Sequence, residues 1–173
     1  MPLAYLFWHW PSGDADVAGY EQRMRDFHAA LDLPGSRTFR LERAPYDGAL
    51  PQPYEDWYPV ADWQALGELN ERAVSGARRS PHDAAAARSA HGAGGVYGLL
   101  QGNVEAPVAH ACWLGKPEGM AYLDFHEELA ATVPDATVWQ RQMVLGPAPE
   151  YAVLATGPIT LPWPAVQTGP QLI

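Results

Sequence analysis

The segment Phe27-His28-Ala29-Ala30-Leu31 recurs downstream as Phe125-His126-Glu127-Glu128-Leu129, and this self-similarity constrains the fold more than any other feature of the chain. The match extends in both directions. Tyr20 and Met24 precede the first copy at the offsets where Glu118 and Tyr122 precede the second, and Leu33-Pro34 and Val133-Pro134 follow. An aromatic, Phe39 or Trp139, stands five residues beyond each proline. Upstream, Trp8-His9-Trp10-Pro11 faces Ala111-Cys112-Trp113-Leu114 if the first loop is the longer one. A strand–helix–strand unit used twice is the reading. Two copies do not stack into a solenoid; they imply two halves packed about a pseudo-twofold axis.

Taken in order, Ala4–Trp10 reads as a central strand, because both faces are apolar: Leu6, Trp8 and Trp10 on one, Tyr5, Phe7 and His9 on the other. Asp14 or Asp16 can cap a helix whose stripe is Val17, Tyr20, Met24, Phe27 and Leu31, ended by Pro34-Gly35. Ser36–Arg43 alternates as a half-buried strand, residues 44–53 form a loop, and Glu55–Val60 is a third strand. Asp62 caps a helix that turns Trp63, Leu66, Leu69 or Asn70, and Ala73 inward. Ser80-Pro81-His82-Asp83 resembles a capping box for a helix reaching towards Gly92, with a fourth strand over Val96–Gln101. This order is the ferredoxin-like split unit. The second half offers strands over Val108–Leu114, Thr137–Leu145 and Glu150–Thr156 and a helix over Glu118–Thr132, with Tyr122, Phe125 and Leu129 inward. Pro158, Pro162, Pro164 and Pro170 then forbid a second helix. The expected division is a first half over 1–102, an incomplete second half over 103–156, and an extended tail over 157–173 anchored by Leu161 and Trp163.

Composition removes several function classes. A net charge of -9 with Lys116 as the only lysine leaves no cationic surface for nucleic acid or for an anionic membrane. No apolar run approaches the ~20 residues of a membrane helix, and no signal peptide is visible, so a cytoplasmic protein is expected. A single cysteine, Cys112, precludes an internal disulfide. No GxGxxG in a strand-to-helix turn, GxSxG, HExxH or CxxC is present, which leaves nucleotide use unsupported.

The duplicated units, about 100 residues apart and opening on aromatic strands, resemble the α+β barrel superfamily that includes antibiotic-biosynthesis monooxygenase-like and EthD-like proteins. The resemblance implies an α+β fold in which two ferredoxin-like units form one barrel, the second truncated. Members of that superfamily oxidise aromatic polyketides without cofactors, bind haem, isomerise lactones or have no known activity. Fold alone therefore does not fix function.

Seven Trp and eight Tyr require packing partners or a ligand. Residues two apart on a strand share a face, so Tyr5 and His9 point together, as do His110 and Cys112. If those faces line the space between the half-sheets, a small aromatic or apolar ligand would meet Tyr5, His9, Trp10, His110, Cys112, Trp113, Trp139 and Arg141, with His9 and His110 as candidate proton-transfer groups. Arg141, between Trp139 and Met143, could hold an anionic or phenolic group or pair with a carboxylate. His28 and His126 flank the helix–sheet contact, and His82 and His91 read as surface or capping residues. The expectation is a ligand-binding barrel of cofactor-independent oxidoreductase or isomerase type, with no metal, no cofactor, and self-association into a homodimer left open. The opposing readings are a non-catalytic interaction protein with a solid core and, less well supported, a haem-binding barrel. A cavity of ~300 Å³ or more with convergent polar groups separates them.

Overall fold

The computed structural model describes residues 1–13, 15–46, 50–143 and 149–173. Its elements are β1 (Leu3–Pro11), α1 (Val17–Leu31), β2 (Arg37–Arg40), β3 (Tyr54–Val60), α2 (Trp63–Ala73), a 3₁₀ turn (Gly76–Arg78), α3 (Arg79–Ala86) and β4 (Ser89–Gln101). They are followed by β5 (His110–Leu114), α4 (Tyr122–Thr132), β6 (Thr137–Arg141), β7 (Tyr151–Ala155), β8 (Ala165–Gln167) and β9 (Gln171–Leu172). All nine strands join one sheet in the order β8-β5-β7-β6-β4-β1-β3-β2-β9. Within it β4-β1-β3-β2 is the ferredoxin-like order, and β8-β5-β7-β6 follows the same order with the tail strand β8 in the fourth place. The two sets meet where β4 pairs with β6.

The sheet curls until side chains from strands far apart in its order touch. Trp57 of β3 lies 6.5 Å from Trp113 of β5 and 5.6 Å from Trp139 of β6, and Trp8 lies 5.2 Å from Trp113. Inward-facing residues of seven strands therefore share one core, which includes Leu6, Trp8, Trp10, Phe39, Trp57, Tyr97, Trp113 and Trp139. The tail closes the gap. β8 pairs with β5 and β9 pairs with β2, while Thr168 donates its N–H to Ala111 O and accepts from Glu42 N. Chain 165–173 thus stitches one edge of the sheet to the other.

Most elements lie where the sequence places them, and the departures have local causes. Asp16 caps α1 by accepting from Gly19 N, and Asp62 caps α2 by accepting from Ala65 N; Asp14 lies outside the described residues. The capping box does not form: α3 begins at Arg79, with Arg78 as N-cap and no side-chain cap bond. The fourth strand begins at Ser89 rather than at Val96, so His91 is a strand residue and not a helix end. The glycines that looked like breakers are floor tiles. A Cβ on Gly92 would stand 2.8 Å from Phe7 Cε2, and one on Gly94 would stand 2.9 Å from Tyr5 Cζ. Only glycine lets those rings lie across β4. β6 stops at Arg141, and Val144 and Leu145 lie outside the described residues. Trp63 and Tyr122, expected inward, are about half exposed, because each sits in the first turn of its helix beyond the reach of the sheet.

Outside the barrel, two helix layers cover the sheet. Tyr20, Met24, Phe27 and Leu31 of α1 pack on Tyr54 and Tyr58, joined by Leu69 of α2 and Ala85 of α3. Phe125 and Leu129 of α4 pack on Cys112, Leu114, Tyr151 and Val153. Among the described residues, no second helix follows in the second half. Its place is taken by the extended tail, whose Ile159, Leu161 and Trp163 pack onto the α4 core.

Candidate functional site

Alternation along β1 and β3 decides which side chains meet. Glu55 and Trp57 point into the barrel, while Tyr54, Asp56 and Tyr58 point to the helix layer. Cross-strand pairing then sets Tyr5 beside Tyr58, Phe7 beside Asp56 and His9 beside Tyr54, and Thr38 of β2 lies opposite Asp56 on the other side. A carboxylate is thereby held in the middle of an aromatic surface, under α1.

Asp56 is 3% exposed and His9 1%. Asp56 Oδ1 accepts from Thr38 Oγ1 at 2.6 Å, and Oδ2 accepts from Tyr58 Oη at 2.7 Å. Two imidazoles flank it. His9 Nε2 lies 3.3 Å from Oδ2 and His28 Nε2 lies 3.5 Å from Oδ1. The His9 contact is close but poorly aligned, so it acts as an electrostatic contact rather than a directed hydrogen bond. Burial by itself would raise the Asp56 pKa, but His9 and His28, with the bonds to the carboxylate, hold it well below the usual carboxylate range. The cluster therefore centres on a permanent negative charge.

His9 Nδ1 lies 2.5 Å from Tyr20 Oη, which lies 2.9 Å from Ser89 Oγ, and Ser89 Oγ donates to Ala85 O at 3.4 Å. Burial pushes the Tyr20 pKa up to about 12, so it remains a phenol. The chain satisfies either charge state of His9. A neutral ring accepts the Tyr20 proton at Nδ1. A protonated ring donates from Nδ1 to Tyr20, which then donates to Ser89. His9 can gain or lose a proton without leaving Nδ1 or Tyr20 Oη unpaired, a requirement for a buried group that changes charge.

Above the cluster, between the sheet and α1, α2 and α3, opens a cleft of about 770 Å³. His9, Asp56, Tyr5, Phe7 and Tyr58 form its floor, Met24 and Phe27 one wall, and Trp63, Leu66 and Leu69 the other. The lining is mostly apolar with a few convergent polar groups, the usual character of a small-molecule site.

The residues singled out in the sequence divide between this cleft and two other places. Tyr5 and His9 line the cleft. Trp10, Trp113, Trp139 and Arg141 face the barrel interior instead, where Arg141 meets the phenol of Tyr46 at 3.4 Å. His110 and Cys112 share the strand face that carries the α4 core, and Cys112 is fully buried there. The expected meeting of His9, His110 and Cys112 between the half-sheets does not occur, because that strand face looks outward to the helices in both halves. The interior has its own buried carboxylate, Glu55, which accepts from Trp8 Nε1 at 2.7 Å and Trp57 Nε1 at 2.6 Å. Burial raises its pKa to about 7 in spite of those two donors. Sequence reasoning missed Asp56, Tyr58, Tyr20 and Thr38, and set His28 aside. One signal was available: Glu55-Asp56 inside an aromatic strand means at least one buried acid, which needs partners.

Among the described residues no group of three or more His, Cys, Asp or Glu is arranged to hold a metal ion. The Asp56 lone pairs are already spent on Thr38, Tyr58 and the two imidazoles. No helix is long and apolar enough to cross a membrane.

No family model and no curated protein sequence matches the chain. Among solved structures, a proposed monooxygenase from Lactobacillus acidophilus NCFM superposes with a TM-score of 0.50 at 8% identity, covering 88% of this chain and 74% of that one. A proposed chlorite dismutase superposes at 0.44 with 13% identity, over 88% and 77% of the two chains. The first likeness shows the fold. This is a ferredoxin-like α+β barrel.

Proposed function

We propose that the protein binds a small, flat, largely apolar molecule with an acidic hydroxyl, such as a phenol or quinol, in the cleft over β1, β3 and β4, and that His9 exchanges a proton with it through Tyr20 and the cleft-lining Ser89. One observation carries the reading: a buried imidazole with a reversible hydrogen-bond chain on one nitrogen and a permanent carboxylate by the other lies on the floor of an apolar cleft of about 770 Å³. Phe7, Tyr5 and Tyr58 offer ring faces to an aromatic ligand, and Asp56 stabilises the imidazolium formed when His9 accepts a proton. The reaction class that fits is cofactor-independent proton abstraction, of oxidoreductase or isomerase type. Haem fits less well at His9, since Nδ1 is bonded to Tyr20 and Nε2 faces Asp56.

The test is NMR of the imidazole signals during titration with a panel of phenols and quinones. His9 is expected to shift with at least one ligand, while His110, on the other half of the sheet, stays fixed. A panel in which His9 never moves, or in which His110 moves equally, rejects the cleft as the site. An absorbance scan showing bound porphyrin would transfer the reading to haem.

A further inference from the structure

We propose that Gly92 and Gly94 of β4 set the length of ligand that the cleft accepts, and that the fitting class is a flat phenol extended at its para position. Its hydroxyl would sit on Ser89 and its apolar body would run along β1 towards Tyr5 and Val96. The inference rests on the cleft being the ligand site. It assigns specificity to two glycines that lie outside the lining of the cleft.

The backbone does not call for glycine at either position. Neither has a positive φ, in contrast to Gly35, Gly102 and Gly169, so alanine is conformationally allowed there. What a side chain would meet is a ring. A Cβ on Gly92 would stand 2.8 Å from Phe7 Cε2, and one on Gly94 would stand 2.9 Å from Tyr5 Cζ. Both are shorter than a carbon–carbon contact allows, so the ring has to move. The pairing register gives the direction. Phe7 stands opposite Gly94 and Tyr5 opposite Val96, so each ring leans diagonally along β4 onto the glycine two residues back. The rings of Tyr5, Phe7 and His9 run nearly parallel, with interplanar angles of 19° and 17°. Phe7 is hemmed in by Tyr5 and His9, and Tyr5 by Phe7 and Tyr58. With the sheet beneath and rings on both sides, a displaced ring has the cleft as its way out.

Ser89 fixes the polar end. It is the first residue of β4 and lines the cleft. Its hydroxyl carries one proton and two lone pairs, and its protein partners are Tyr20 Oη at 2.9 Å and Ala85 O at 3.4 Å. Whichever of them takes the Ser89 proton, at least one lone pair is left to accept from a ligand hydroxyl. Val96 lines the same cleft further along the strand, opposite Tyr5. At about 3.3 Å per residue, Gly92 lies roughly 10 Å from Ser89 along β4 and Gly94 roughly 17 Å. A ligand held at Ser89 therefore meets the ring over Gly92 first. It reaches the ring over Gly94 only if its body is long.

The probes are a short and a long flat phenol, 4-nitrophenol and trans-4-hydroxystilbene, with affinities measured by calorimetry. Wild type is expected to bind both, and Ser89→Ala should weaken both alike. Gly92→Ala should also weaken both, since it lifts the Phe7 ring. Gly94→Ala should weaken the stilbene about tenfold, the low end of what an over-packed contact costs, and leave 4-nitrophenol unchanged. In a Tyr5→Ala background the Gly94→Ala penalty should vanish, because the added methyl acts through that ring. A Gly94→Ala penalty that is absent, equal for the two probes, or undiminished without the Tyr5 ring overturns the proposal. A Ser89→Ala loss confined to one probe overturns the orientation. If a glycine variant does not fold, NMR of the wild type decides: Tyr5 ring signals should move with the stilbene alone, and Phe7 signals with both probes. Tyr5 signals that answer to neither probe, or to both, overturn it. Wild type that binds neither phenol rejects the cleft reading and this inference together. Wild type that binds both, with variants that do not discriminate between them, rejects the inference and leaves the cleft reading standing.

Discussion

The two helix–sheet layers are built from the same order of elements and reach opposite ends. Over β5 and β7, α4 sets Phe125 and Leu129 against Cys112 and Val153, and the tail seals the layer with Trp163, whose ring meets Phe125 at 5.0 Å. His126 of α4 merely bonds Tyr151 Oη at 3.0 Å. Over β1 and β3, the corresponding helix brings His28 and Tyr20 onto His9 and Asp56, and α2 and α3 stand off the sheet enough to leave a cleft. A buried ionic cluster is poor value as a stabiliser, and among the described residues it occurs in the first layer alone, under the cleft, which is why the proposed site is placed there.

The sharpest way to break the comparison is at Asp56. Asp56→Asn leaves two imidazoles without their shared charge and is expected to destabilise by about 3–5 kcal/mol, the range for removing one partner of a buried pair. In the other layer Phe125→Ala should cost a similar ~3–5 kcal/mol, as Phe125 is fully buried. Phe27→Ala should cost less, because Phe27 borders the cleft, so its removal enlarges an existing space rather than opening a sealed cavity. Urea titration of the three variants checks the order. Equal losses at Phe27 and Phe125 would mean that the first layer is as tightly sealed as the second.

The two buried acids of β3 predict the pH profile of stability. Glu55 binds its proton more tightly in the folded state, with a pKa of about 7 against an ordinary 4.5. Its contribution is fully present below about 4.5 and is lost as pH rises through 7, a loss of about 3 kcal/mol at 1.36 kcal/mol per unit. Asp56 has the opposite sign: its depressed pKa stabilises the fold above the ordinary value of 3.8, and that stability drains away as pH falls below it. Maximum stability is expected between these flanks. Denaturant midpoints that rise from pH 5 to pH 8 in wild type would contradict the Glu55 assignment.

Much of the fold was legible because it depends on periodicity. The stripe of α1, the two-faced β1 and the inward pair Phe39 and Trp139 all follow from side-chain spacing, and the structure places them so. The tail's strands were not legible: three and two residues long, they are defined by the edges they meet. The site was half legible. His9 and Tyr5 announce their shared face, but whether that face looks into the barrel or out to the helices depends on which way the sheet curls. Asp56 and His28 come from segments far apart in sequence, and nothing local to either names the other. His28 looked like a flanking residue because its copy, His126, is one.

The smallest effect expected is at Cys112, and it tests the sealed half directly. The repeat sets Cys112 where the first half has His9, at full burial, with Val153 opposite it on β7. Burial pushes its pKa up to about 11, against a weaker opposing bond from Gln167, so the group is a thiol at neutral pH and lacks the thiolate needed for reaction. A disulfide reagent should label it only as fast as the protein unfolds. Cys112→Ala should cost about 1 kcal/mol, close to the loss of one buried methylene-sized group. Cys112→His should cost clearly more, because among the described residues the α4 core around Cys112 holds no carboxylate to stabilise an imidazole there. Rapid labelling in native buffer, or a Cys112→His variant as stable as Cys112→Ala, would show that the second layer is open and polar enough to host a site of its own. The contrast between the halves would then no longer locate the function.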